Sequence, residues 1–71
     1  MLRISGPKIT EIAKELDGIE IQGINFNQKE EPKGIQVLFL TNADDEETAK
    51  SVVKSFLKEK FPVLRIYVEV I

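Results

Sequence analysis

The chain has 71 residues, a net charge of −2, and neither Cys nor His. Those absences exclude disulfides, thiolate or imidazole metal sites, and every nucleophile built on a Cys–His or Ser–His pair. Hydrophobic residues at 42% and charged residues at 31% describe one globular domain spanning residues 1–71, and a domain this small buries only about 60% of the surface its unfolded chain exposes.

In chain order, Met1 to Ile4 is a candidate short strand. Ser5-Gly6-Pro7 offers cap candidates and a proline suited to a first helical turn, and Ile9, Ile12, Ala13 and Leu16 recur at helical spacing. A first helix is therefore expected over about Pro7 to Asp17, stopped by Gly18. Ile19 and Ile21 alternate with polar residues, then the phase slips at Gly23 so that Ile24 and Phe26 become the apolar positions, the sequence pattern of a β-bulge. Asn27 to Lys33 is polar and holds Pro32, which predicts a long hairpin loop. Ile35, Val37 and Phe39 then take one face of a strand and Leu38 and Leu40 the other.

Asp44 and Glu47 have capping-box spacing, and the acidic run Asp44 to Glu47 lies where a helix dipole favours negative charge. Ala49, Val52, Val53, Phe56 and Leu57 form a buried stripe, and Lys58 and Lys60 match the far end of the dipole. Phe61-Pro62 stops this second helix. From about Val63, a strand places Leu64, Ile66, Val68 and Val70 opposite Arg65, Tyr67 and Glu69. It runs to Ile71, so no tail for targeting or membrane attachment is expected.

These elements predict an α+β fold, a two-layer sandwich with two helices on one face of a three- or four-stranded sheet. If Met1 to Ile4 pairs, the order (β)αββαβ is that of ferredoxin-like folds, with the first strand between two parallel strands joined by a right-handed crossover.

Gln22-Gly23-Ile24-Asn25-Phe26-Asn27, preceded by Ile21, resembles the phosphate-binding loop of acylphosphatases, a family with a ferredoxin-like fold. Asn27 stands where that family has its arginine, so the resemblance implies no acyl-phosphate site. The acidic run lacks the alternating ligands, glycine turn and closing glutamate of a calcium loop, and capping accounts for it. Tyr67 beside a lysine or carboxylate is the one acid–base candidate, but a tyrosine on a strand ordinarily packs a sheet surface and keeps its hydroxyl wet. No catalytic site, cofactor or metal is expected, and the protein is not expected to be an enzyme.

Two surfaces remain. If both helices cover one sheet face, then Leu38, Leu40, Val63, Tyr67 and Ile71 fall on the other, and the last strand offers an open edge. A small domain without covalent staples also gains from a second copy. The leading expectation is a non-enzymatic interaction module, homodimeric through that face or that edge. The alternative is a weak nucleic-acid binder using Lys50, Lys54 and Lys58, spaced four apart beside Ser51 and Ser55; against it stand the net negative charge, only two arginines and an ordinary solvated-helix explanation in which Glu46 supports Lys50. The opening residues lack a secretory h-region and no apolar run is long enough to span a bilayer, which makes the cytoplasm the expected compartment.

Overall fold

Alternation in Leu2-Arg3-Ile4-Ser5 gives one apolar and one polar face, and in the computed structural model, which describes all 71 residues, this segment is strand β1 (Leu2–Ser5). There follow α1 (Ile9–Leu16), β2 (Ile19–Ile21), β3 (Ile24–Gln28), β4 (Gln36–Thr41), α2 (Glu46–Lys60) and β5 (Tyr67–Val70). They form an α+β domain with a single antiparallel sheet of five strands, ordered β2-β3-β4-β1-β5, and two helices packed on it.

The segment whose pairing was open from sequence is the hub. β1 pairs antiparallel with β4 on one side and β5 on the other, so β4 and β5 run parallel with β1 between them. Leu2 and Ile4 are fully buried and join Val37, Phe39, Phe26 and Val68 on the inner face of the sheet. Onto that face α1 brings Ile9, Ile12, Ala13 and Leu16, and α2 brings Ala49, Val53 and Leu57. Each fully buried aliphatic or aromatic side chain contributes about 1.5–3 kcal/mol relative to exposure, which is what a domain of this size depends on.

The sheet has five strands rather than three or four because Ile19 to Phe26 is a hairpin and not one bulged strand. Gln22 and Gly23 both have positive φ, 51° and 80°, and Ile21 pairs with Ile24 across them. Two central residues of that kind are a type I′ turn, whose twist suits a two-residue hairpin. The turn keeps Ile19, Ile21, Ile24 and Phe26 on one face, so the phase slip in the sequence is the reversal itself.

Four other expectations shift. The first helix starts at Ile9 rather than Pro7, because Gly6 still belongs to the ladder, donating its N–H to the Ile35 carbonyl at 2.9 Å, and Lys8 makes the turn at φ 54° without a side-chain cap. At its other end Gly18, at φ 77°, leaves the helix as expected. Ile35 is outside β4, at 62% exposure in the tight turn closed by reciprocal Lys33 and Gln36 hydrogen bonds. The cap of α2 is Asp45, not Asp44: its carboxylate accepts from the Glu47 N–H at 3.0 Å and the Thr48 hydroxyl at 3.1 Å. Finally, β5 begins at Tyr67 and not Val63, since Pro62 to Ile66 is a turn and an irregular approach, with the Leu64 N–H donating to the Phe61 carbonyl at 3.2 Å.

Candidate functional site

An open sheet has two edges. One is β2, only three residues long, and brevity itself discourages pairing. The other is β5, which pairs with β1 alone.

The ladder settles which backbone groups of β5 point outward. Antiparallel neighbours exchange hydrogen bonds at every second pair. The Ile71 N–H donates to the Met1 carbonyl at 3.0 Å, and on the opposite side of β1 the Gly6 N–H donates to the Ile35 carbonyl. Odd-numbered residues of β1 therefore bond toward β5 and even-numbered ones toward β4. Arg3–Glu69 and Ser5–Tyr67 are the bonded pairs on the β5 side, and the N–H and C=O of Val68 and Val70 face the open edge.

Beside this edge lies a groove of about 550 Å³ between α2 and β5. Its apolar part is Leu57, Leu64, Ile66 and Val68, continuous with the core. Its helical wall is Ser51, Lys54, Ser55 and Lys58, positions that the α2 register sets on one exposed face, and Arg65 and Tyr67 close the strand side. No carboxylate lines it. Lys54, Lys58 and Arg65 have no carboxylate within 4 Å, whereas Arg3 is bound to Glu69 at 3.1 Å and Lys60 to Glu15 at 3.9 Å. In a chain of net charge −2, the groove is a local concentration of uncompensated positive charge.

The approach to β5 depends on a glycine. A Cβ on Gly6 would stand 2.9 Å from the Arg65 carbonyl oxygen and 3.4 Å from the Ile66 Cα. The bare backbone at Gly6 lets the end of β1 pass against the Arg65-Ile66 segment and so sets where Arg65 enters the groove.

The other surface candidates are dispersed. Leu38 and Leu40 lie on the helix-free face of β4, Leu40 47% exposed and Leu38 half-buried. Tyr67 is on the same face but two strands away, with Ser5 and Gln36 across from it in register and the Arg3–Glu69 ion pair beside it. Ile71 shares a smaller depression of about 190 Å³ with Arg3, Leu38 and the Glu30–Glu31 loop. Val63, 89% exposed, sits in the α2–β5 connection and not on the sheet. Lys50 lies on α2 outside the groove, and the Glu46–Lys50 ion pair does not form.

No group of three side chains able to hold a metal ion is present, and no helix is long and apolar enough to cross a membrane. The segment resembling the acylphosphatase loop forms the β2–β3 hairpin turn and leads into no helix. Compared with known proteins, the chain matches no family model, no curated protein and no solved structure.

Arg65 is the functional candidate that sequence reasoning left out. The alternation of 64 to 70 assigned it to the outer strand face, whereas the irregular approach of the chain before Tyr67 brings it beside the lysines. A cation four residues after a helix stop, with helix lysines at i and i+4, was the available signal.

Proposed function

We propose that the protein is a small non-enzymatic interaction module that accepts an extended segment along β5. The observation that carries this reading is the open β5 edge, with the backbone groups of Val68 and Val70 unpaired beside a preformed groove. Strand addition needs both features: main-chain partners for affinity and pockets for alternate side chains. Between the two routes of self-association read from the sequence, the geometry favours the edge. On the helix-free face Leu38, Leu40 and Tyr67 are interrupted by an ion pair and by Ser5, so no continuous apolar patch forms there. A non-catalytic reading is supported by the groove's titratable groups, which are two lysines, an arginine and a tyrosine with no acid or second base to relay a proton.

The strand order β3-β4-β1-β5 supports a ferredoxin-like class with β2 added outside it, a fold that hosts many functions and selects none. Cytoplasmic residence belongs to the same reading and rests on the cysteine-free composition. A second reading, nucleic-acid binding, is favoured by one observation: Lys54 and Lys58 share their groove with Arg65 and two serines, though Lys50 does not.

Light scattering at micromolar concentration and two salt levels tests the edge. With β2 too short to pair well, the strand then on offer is the β5 of another copy, and added salt screens the lysine rows that two copies bring together. Dimer is expected to grow with salt, to persist in Leu40→Glu and to vanish in Val70→Pro, which deletes an outward donor while keeping the β1 ladder. Loss of a dimer in Leu40→Glu alone would transfer the interface to the sheet face. A monomer at both salts would remove self-association from the reading.

A further inference from the structure

We infer that the partner for which the β5 groove is built is an acidic extended peptide segment, with carboxylates at alternate positions facing α2. This rests on the strand-accepting reading of β5 and names its ligand class. Three features converge on it. The outward N–H and C=O groups of Val68 and Val70 provide two hydrogen-bonding stations one strand repeat apart, about 6.8 Å. Lys54 and Lys58 stand one helical turn apart along the wall above that edge, a rise of about 6 Å. An incoming strand presents its helix-facing side chains at i and i+2 with almost the same spacing, so two successive carboxylates meet the two lysines. Arg65 adds a third cation to the groove from its strand side, and the apolar floor at Ile66 and Val68 receives the stems of those side chains.

Charge also decides against the other occupants. A second copy pairing its β5 with this one about a two-fold axis would bring its own Lys54 and Lys58 toward the same row. It would contribute no carboxylate, because its Glu69 lies on the far face bound to Arg3. A nucleic-acid strand would satisfy the lysines, but it has no amide ladder to pair with Val68 and Val70 and would find only Tyr67 for stacking.

The test titrates the protein with three blocked peptides of about eight residues, a usual strand length. One alternates Glu with Thr and Val, the second has Gln for Glu, and the third has Lys for Glu; a single-stranded oligonucleotide of similar length is run beside them. The Glu peptide is expected to bind at least about tenfold more tightly than the Gln peptide at 50 mM salt, with the gap closing at 500 mM and in Lys54→Gln/Lys58→Gln. Both lysines are exposed, so that variant keeps its core; Val70→Pro is expected to weaken the Glu and Gln peptides alike. Equal binding of Glu and Gln peptides would overturn the acidic class while leaving strand addition in place. Oligonucleotide binding that displaces the Glu peptide, or a low-salt dimer that excludes it, would overturn the proposal in favour of that occupant. Absence of binding by all three peptides, with a monomer at both salts, would overturn the proposal and the strand-accepting reading together.

Discussion

Gly6 shows how one residue couples the fold to the site. Its missing side chain is what allows the Arg65 carbonyl to lie 2.9 Å from where a Cβ would be. Backbone cannot retreat as a flexible side chain can, so Gly6→Ala must push the Arg65-Ile66 segment away from β1. Overpacking of this kind costs about 1–3 kcal/mol. Thermal unfolding of Gly6→Ala is expected to shift down by several degrees, at about 4–8 °C per kcal/mol for a domain of this size. An unchanged midpoint would mean that the β1–β5 approach is looser than described. The sequence showed Gly6 only as a member of a Ser-Gly-Pro turn. Its true constraint comes from residues at the other end of the chain, and no local pattern carries that information. Gln22 and Gly23 differ in kind: the turn they form is local, and Gln at a position with φ 51° disguised a hairpin that Asn there would have announced.

Among the elements, the apolar stripes of the helices were the most legible, since a stripe is written within a few residues, whereas both helix starts lie one or two residues from where the sequence put them. The buried positions of α1 match the spacing read from the sequence, and Ala49, Val53 and Leu57 of α2 do so with Val52 and Phe56 flanking them half-buried. The cap moved by one residue because Asp45, with its extended backbone, can reach the Glu47 N–H. Asp45→Ala should therefore destabilise the protein by about 1 kcal/mol, and Asp44→Ala by much less, in urea unfolding. A larger loss in Asp44→Ala than in Asp45→Ala would return the cap to Asp44. The start of β5 was hidden because alternation of burial continues from Leu64 to Val70 although hydrogen-bonded pairing with β1 begins only at Tyr67. Periodicity reports which way a side chain points; ladder bonds are a separate property, and that gap is why Arg65 was assigned to a face rather than to a groove.

For the molecule as a whole, the placement of β1 decides everything else. Its four residues have neighbours on both sides, whereas β5 has one. Native-state hydrogen exchange should reflect this directly: the amides of Leu2 and Ile4 are expected among the slowest, with those of Val68 and Val70 faster than those of Tyr67 and Glu69. Slow exchange at Val68 and Val70 in a dilute monomer would show that the edge is covered by the chain itself. The sequence made the α+β class and the single apolar core readable, because both follow from patterning. It left open whether β1 filled the central slot, a matter of long-range pairing that four residues cannot announce.

That central slot also sets the order in which the molecule can be built. The ladder that holds β5 joins residues such as Arg3 and Glu69, 66 positions apart, and the one on its other side joins Ile4 to Val37. Neither forms until a long loop has closed, and the entropy of closure is met before any contact rewards it. The α1 hairpin region lacks half of its sheet without β1, and α2 with β5 has nothing to lie on. Folding is then a single event in which β1 and β5 must find each other, and a backbone cut in the Lys29–Lys33 loop should yield two fragments that are structureless apart and native only when mixed.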